Sequence, residues 1–311
     1  MAAVLTEDQR AWLLEGDPSI AWQVQRDLLD EPDRTWQRTR RRIASEGWGA
    51  ALLATRDSEG RWGGGWYSPK WISTFYTVQL LVRLGVDPSH ADTRASARLL
   101  LGQAVPEAEP LPDRGAFSDT CVIGMLLSIA GGLDLLGDPR AARLVDRLMD
   151  QRMLGGGWNC ELRDDATHPS VHTTLSVMEG LGAWQSVRAD PAVAEAIQHG
   201  EEFLLAHRLF RSHRTGEVIR ADFTRFSFPT WWFYDVLRAL EYFAVRAAPW
   251  DERLTDAVEL LRKRRRDGRW PVQNRHSGRE WFRMEPTGHP SRWNTLRALR
   301  VERWLAEVMP S

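Results

Sequence analysis

The sequence is poor in several features that mark particular classes of protein. Its 311 residues include only two cysteines, too few for a disulfide framework, so we expect a reducing compartment, the cytoplasm. The formal net charge of −1 argues against an electrostatic surface for nucleic acid or for anionic membranes. No apolar run approaches the roughly 20 residues of a membrane-spanning helix, and the first residues lack the basic and apolar regions of a secretory signal.

Alternation of apolar and polar residues, the pattern of a half-buried β-strand, is absent over any useful length. Apolar residues recur instead at helical spacing, for example at Leu80, Leu81 and Leu84. With 43% apolar residues over 311 positions, the chain is long enough to bury a sizeable core. The sequence therefore predicts an all-α fold in a single domain that covers residues 1–311.

Tryptophan is the residue present in excess, with 16 copies against 4 tyrosines. Several tryptophans follow glycine in a turn between two apolar helical stretches. Glycine permits a positive φ where a helix ends, and tryptophan buries a large ring while its N–H bonds a loop carbonyl. The clear copies of this turn are Gly60–Trp66, Gly155–Trp158 and Gly268–Trp270, and degenerate copies lie at 114–117 and 216–218.

These turns predict a repeat of two helices, with about five copies spaced by roughly 45–60 residues. We expect the repeats to close into an α/α toroid, a barrel of helical hairpins whose inner helices line one deep pocket. Residues 1–45 are predicted to form an N-terminal helical cap, and residues 46–311 to hold the repeats. The predicted inner helices cover residues 71–84, 119–130, 171–183, 231–243 and 291–304.

Asp119, Cys121 and His172 lie at the starts of two successive predicted inner helices. A carboxylate, a thiolate and an imidazole can form an open zinc site, which leaves the fourth position for water or substrate. Each residue also has a structural interpretation: a helix cap for the aspartate, a small core side chain for the cysteine and a hydrogen-bonded core histidine. The three at matching repeat positions favour a metal site.

The repeated Gly-Trp turns resemble those of the superfamily of terpenoid cyclases and protein prenyltransferases. The segment Gln151–Trp158 is similar to the QW repeat of squalene-hopene cyclases. In the β subunits of protein farnesyl- and geranylgeranyltransferases, Asp-x-Cys begins one inner helix and His-Thr begins the next, as Asp119–Cys121 and His172–Thr173 do here. The resemblance implies a toroid, and a zinc ion on the three predicted ligands that activates a thiolate or a water molecule.

The sequence departs from that family where the family binds diphosphate. Of the Arg, Lys and Tyr that the family places around Asp-x-Cys, Arg114 matches the arginine with a displacement of one position. Ala116 and Val122 replace the other two. The Asp-x-Asp-Asp acid of the squalene cyclases is absent. We keep Arg114 as a candidate catalytic residue and do not expect protein farnesylation.

Further polar and aromatic residues fall on the expected inner face. Glu161, close after Trp158, is a candidate general base for zinc-bound water, and Cys160 is an alternative zinc ligand. His213 and Arg214 belong to a cationic cluster that either binds an anionic substrate group or stitches a loop through ion pairs. The aromatic residues that we expect to bind substrate are Trp66, Tyr76, Trp158, Trp232, Tyr234 and Trp293.

The leading hypothesis is a zinc-dependent enzyme that acts on an apolar, isoprenoid-like small molecule by prenyl transfer or by a zinc-activated nucleophile. One alternative is a squalene- or terpene-cyclase-like enzyme with a non-standard acid. Another is a non-catalytic toroid that binds a small molecule. No nucleotide or flavin cofactor is implied, and we expect neither a nucleic-acid nor a membrane partner, whereas a partner subunit stays open.

The zinc hypothesis predicts that protein purified under reducing conditions carries about one zinc ion per chain. Because Cys121 supplies one of the three predicted ligands, Cys121→Ala should lose the metal. Inductively coupled plasma mass spectrometry against protein concentration measures both values. Freshly purified, reduced protein that contains no zinc would contradict the hypothesis.

Overall fold

The computed structural model describes residues 5–106, 117, 119–161 and 165–310. Over these ranges the chain is predominantly α-helical, and the only strands are a short antiparallel pair, Trp270–Pro271 (β1) and Pro290–Ser291 (β2). Within the same ranges, no helix is both long and apolar enough to cross a membrane. The coarse prediction of an all-α fold is confirmed.

A group of short N-terminal helices precedes a longer alternating series. The N-terminal group comprises α1 (Glu7–Leu14), α2 (Pro18–Asp27) and α3 (Asp33–Arg41), followed by a 3-10 turn at Arg42–Ala44. The series comprises α4 (Gly47–Leu53), α5 (Thr74–Leu84), α6 (Ala91–Ala104), α7 (Thr120–Gly132), α8 (Pro139–Asp150), α9 (Val171–Val187), α10 (Pro191–Ala206), α11 (Val236–Val245), α12 (Thr255–Lys263) and α13 (Arg292–Val308).

The helices α5, α7, α9, α11 and α13 lie where the sequence predicts inner helices, but α5 and α11 begin later than expected. Trp71 and Trp231 hold positive φ values of 72° and 52°, which a helix does not accept. The two indole rings stack, with their centroids 5.1 Å apart and an interplanar angle of 4°. Ser73 and Asp235 take the N-cap positions instead, and the Asp235 carboxylate accepts the backbone N–H of Arg238 at 2.8 Å.

Three buried tryptophans make the same pair of hydrogen bonds. At Trp158 the indole N–H donates to the Leu148 carbonyl of α8 at 2.6 Å, and the backbone N–H donates to Thr174 Oγ1 of α9 at 3.0 Å. Each tryptophan therefore ties the end of one helix to the first turn of the next long helix. The equivalent sets are Trp62 with Leu52 and Thr74, and Trp270 with Leu261 and Thr295.

Helices α7 and α9 pack closely because glycine lies at their contact. A Cβ atom on Gly124 would lie 2.6 Å from the carbonyl oxygen of Ser176, and a Cβ atom on Gly180 would lie 2.3 Å from the carbonyl oxygen of Gly124. Any larger residue at either position would push the two helices apart. Cys121 and His172 lie in the first turns of these two helices, so they are carried by neighbouring elements.

Helix α2 joins the first and last of the long helices. It packs against α13 and α4. The indole N–H of Trp22 donates to the Leu84 carbonyl at the end of α5, at 3.0 Å. Arg300 of α13 donates to the carboxylate of Asp27 at 2.7 Å and to the side-chain carbonyl of Gln23 at 2.6 Å. The N-terminal segment is thus an integral part of the helix packing.

We predict that Thr174→Val lowers the free energy of unfolding by about 1–3 kcal/mol, because it leaves the buried N–H of Trp158 without an acceptor while it preserves side-chain shape. Urea denaturation followed by far-UV circular dichroism measures the change. Thr215→Val is the matched control, since the exposed hydroxyl of Thr215 accepts an N–H that water can serve equally well. Equal effects of the two substitutions would contradict the role given to the tryptophan hydrogen bonds.

Candidate functional site

Cys121 and Cys160 lie side by side at the start of α7. The backbone N–H of Cys121 donates to Cys160 Sγ at 3.2 Å. The hydroxyl of Thr173, in the first turn of α9, donates to the same sulfur at 3.3 Å and accepts the Cys160 N–H at 3.2 Å. The sulfur of Cys160 therefore receives donors from two helix N-termini, which favours its anionic form.

The pKa values of the two thiols are shifted in opposite directions. The thiol of Cys121 donates to Cys160, which raises the pKa of Cys121 well above its ordinary value, and burial raises that pKa further. Accepting this hydrogen bond, together with the Thr173 hydroxyl and the Cys121 N–H, lowers the pKa of Cys160 although burial opposes the shift. The negative charge of Asp119 contributes in the raising direction at both thiols. The pair therefore consists of a protonated Cys121 and a more readily ionised Cys160.

His172 takes part in a different set of contacts. Its Nδ1 accepts the backbone N–H of Tyr234 at 3.0 Å, and its ring packs among Phe223, Trp232 and Phe233. Burial, followed by the positive charge of Arg220, lowers the pKa of His172 to about 4. A neutral ring whose Nδ1 accepts a hydrogen bond carries its proton on Nε2 and offers no lone pair to a metal there.

Of the predicted zinc ligands Asp119, Cys121 and His172, the histidine makes a hydrogen bond that differs from the one a zinc ligand makes. A zinc-bound histidine donates its second ring N–H to an acceptor, whereas His172 Nδ1 accepts one. Among the residues that the structure describes, no group of three or more His, Cys, Asp and Glu side chains is placed to hold a metal ion. Asp119 is the N-cap of α7, but its side chain makes no capping hydrogen bond. Zinc at this end of α7 stays a prediction.

A cavity of about 320 Å³ lies between the long helices, and residues of α2, α5, α7, α9, α11 and α13 all contribute to its wall. One part of the wall is apolar. There the rings of Trp293 and Phe228 stack with their centroids 4.4 Å apart. The rest of the wall is strongly polar. Its charged and amide-bearing residues are Gln23, Gln79, Arg83, Glu179, Arg238, Glu241, Arg297 and Arg300.

Most of the charged groups in the cavity wall form ion pairs between neighbouring helices. Arg238 of α11 binds both carboxylate oxygens of Glu179 on α9, at 2.9 and 2.6 Å. Arg297 and Arg300 of α13 bind the two carboxylate oxygens of Glu241 on α11, at 2.8 and 3.2 Å. Despite burial, these positive charges hold the pKa of Glu241 below its ordinary value. The pairs satisfy both lining carboxylates.

A larger cleft of about 1310 Å³ is lined by α10, the start of α9 and residues 212–223. It gathers His213, Arg214 and His172 of the predicted site residues. His207 Nδ1 lies 2.8 Å from the Phe203 carbonyl, and His207 Nε2 lies 2.9 Å from His213 Nδ1. Since a carbonyl only accepts, His207 carries its proton on Nδ1, and His213 donates from its own Nδ1.

The structure distributes the other predicted substrate residues over several places. Trp293 alone of the six predicted aromatic residues lines the central cavity, whereas Trp158 and Tyr234 are buried, the latter bonded to the Leu209 carbonyl at 2.6 Å. Tyr76 is also buried, Trp66 and Trp232 are half-buried, and Glu161 is exposed. Arg114 lies outside the described residues. Five of the six predicted aromatic residues therefore lie outside the wall of the central cavity, and their role in binding substrate stays a prediction.

Sequence reasoning missed the charged residues of the central cavity. Arg83, Glu179 and Arg238 each interrupt an apolar helical stretch, which is the signal that could have singled them out. Comparison of the chain with protein-family models, with curated proteins and with solved structures gives no match. The site is therefore assigned from its geometry, and the central cavity gathers side chains from more helices than the cysteine pair does.

His276 closes the aromatic cluster around His172, and we expect it to make the fold acid-sensitive. Its ring lies 3.6 Å from that of Phe233, and burial lowers the pKa of His276 from 6.5 to about 4. As the pH falls below 6.5, His276 becomes protonated in the unfolded chain but stays neutral in the folded chain. The free energy of unfolding therefore decreases until the pH reaches about 4, where the folded chain also binds the proton.

His276→Phe keeps the stacking and removes this titration. It should therefore show a smaller fall of the melting temperature from neutral pH to pH 4. Thermal melts across that range measure the effect, with His199→Phe as the control at an exposed histidine. Coincident profiles for wild type and His276→Phe would contradict the assignment.

Proposed function

We propose that the chain is an α/α toroid that binds a small molecule in its central cavity. Three observations support the toroid: the alternation of long helices, the tryptophan hydrogen bonds repeated at Trp62, Trp158 and Trp270, and the placement of α2 between α5 and α13. The resemblance of the Gly-Trp turns to those of terpenoid cyclases and protein prenyltransferases points the same way. A toroid places its ligand among the inner helices.

The observation that carries the binding function is the composition of the cavity wall. A space of about 320 Å³ is within the range of small-ligand pockets, and it combines an apolar stack with charged groups held by ion pairs. A core selected only for stability would fill this space with apolar side chains, because buried charges are costly. The polar wall favours an amphipathic ligand over the wholly apolar, isoprenoid-like substrate that the family resemblance implies.

The cysteine pair supports a second candidate function, that of an enzyme using zinc or a thiolate. The sulfur atoms of Cys121 and Cys160 lie together and offer two of the soft ligands that suit zinc, and a zinc ion would need a further side chain to complete its site. A zinc ion bound there would supply Lewis-acid activation of a water molecule or of a substrate thiol. The chain's own groups would position that nucleophile through the Thr173 hydroxyl and the backbone N–H of Cys121 at the start of α7.

Ser128→Phe tests the binding function. Ser128 lies on α7 and lines the cavity, so the larger ring should fill the space and abolish binding. A fragment library with neutral, cationic and anionic members, screened by ligand-observed NMR, gives the set of compounds that bind the wild-type protein. We expect this set to shrink for Ser128→Phe.

Ser186→Phe is the matched control, because Ser186 is an exposed residue of α9 outside the cavity wall. This variant should bind the same fragments as wild type. Circular dichroism establishes that both variants are folded. Fragment binding that survives Ser128→Phe, or a wild-type protein that binds no fragment, would overturn the proposed function.

A further inference from the structure

Arg83 is the arginine of the cavity wall that has no carboxylate partner among the residues that the structure describes. Its guanidinium donates to the hydroxyl of Thr230 and, at 3.5 Å, to the carbonyl of Trp231. Over the described ranges, no Asp or Glu oxygen lies within the 4.0 Å of an ion pair with it. Burial, followed by the positive charge of Arg238, lowers the pKa of Arg83 to about 10. The group remains charged at neutral pH.

The two carboxylates of the wall attract Arg83 only through space, because their oxygens are hydrogen-bonded to other arginines. Glu179 accepts two hydrogen bonds from Arg238, and Glu241 is shared by the two arginines of α13. Arg83 is half-buried, and a charge in that position that is hydrogen-bonded only to neutral groups lacks the direct ion pairs that the other arginines have. The space in front of Arg83 is therefore suited to one additional negative charge.

Gln79 provides a second and independent observation on the same helix. It lines the cavity, only 5% of its surface is exposed, and its side-chain oxygen has no hydrogen-bond partner among the described residues. Buried amide oxygens are normally hydrogen-bonded, so an orphaned one beside a cavity indicates a missing donor. Arg83 and Gln79 lie one helical turn apart, which lets a single small molecule reach both.

On the basis of the proposed function, we propose that the central cavity binds a small monocarboxylate whose carboxylate pairs with Arg83 and whose hydroxyl or amino group donates to Gln79. The apolar body of this molecule packs against the stacked rings of Trp293 and Phe228. The guanidinium fork matches a carboxylate in geometry as well as in charge.

The lining carboxylates determine the charge of the ligand. Glu179 and Glu241 face the same cavity of about 320 Å³ as Arg83. Arg238 pairs with Glu179, Arg297 with Glu241 and Arg300 with Asp27, so Arg83 is the positive charge left over in the wall. A single carboxylate balances it, whereas a diphosphate would bring surplus negative charge close to the lining glutamates. The site thus selects a monoanion.

Isothermal titration calorimetry with m-hydroxybenzoate and m-hydroxybenzamide tests the inference. The two probes share size, ring and hydroxyl group, and differ in the negative charge. We expect the carboxylate to bind wild-type protein and the amide to bind at least tenfold more weakly. Inorganic diphosphate should also bind more weakly than m-hydroxybenzoate.

Two variants assign the contacts. Arg83→Gln should weaken m-hydroxybenzoate by roughly a hundredfold, because it removes the charged partner of the carboxylate inside the cavity. Gln79→Leu should weaken m-hydroxybenzoate on the order of tenfold and leave benzoate, which lacks the hydroxyl, unchanged. Arg94→Gln is the control, since Arg94 is a half-buried arginine that donates to the Pro88 carbonyl and lies outside this cavity.

Thermal melts without ligand keep the result interpretable. Arg83→Gln removes a half-buried charge that forms no ion pair with a described carboxylate, so it should melt at the wild-type temperature or above it. Equal binding of the carboxylate and the amide, or binding that Arg83→Gln leaves intact, would overturn the monocarboxylate while the cavity remains a binding site. Tighter binding of diphosphate would overturn the monoanion. If the wild-type protein bound no fragment at all, that result would instead overturn the proposed function itself.

Discussion

The arginine–carboxylate pairs between the long helices are the interaction on which the rest of the structure depends. Glu179 with Arg238 joins α9 to α11, Glu241 with Arg297 joins α11 to α13, and Arg300 with Asp27 joins α13 to α2. A charge in the interior is costly unless it is paired, so separating any two of these helices would leave both partners of an ion pair without each other. Long charged side chains held in this way cannot fill the centre, and a polar cavity results.

The aromatic residues stabilise the structure at a different level. Trp62, Trp158 and Trp270 bind the end of one helix to the start of another, and Trp71 stacks on Trp231 where two loops meet. Because these rings pack where helices and loops are connected, they do not line the central cavity. In the binding function that we propose, the ligand meets a charged wall with one apolar stack, which favours an amphipathic anion over a hydrocarbon.

Local signals made the helices predictable from the sequence. The exact helix starts and the partners of the site residues could not be predicted, because they depend on contacts between distant parts of the chain. Helical spacing and glycine turns placed α7, α9 and α13 correctly, whereas the late starts of α5 and α11 depend on a stack between Trp71 and Trp231, which lie far apart in the chain. Cys121 and Cys160 were recognised, but the donors that favour the Cys160 thiolate are fixed only by the packing of α7 on α9. Arg83 was missed because an arginine in an apolar helix gives no indication of its partner.

The crystal structure of the protein with bound m-iodobenzoate tests the central claim most directly, since anomalous scattering locates the iodine and fixes the orientation of the ring. The account predicts iodobenzoate in the central cavity, with its carboxylate oxygens within hydrogen-bonding distance of the Arg83 guanidinium and its ring against Trp293. Iodobenzoate found in the histidine-lined cleft of α10, with a central cavity that contains only water or side chains, would contradict the account.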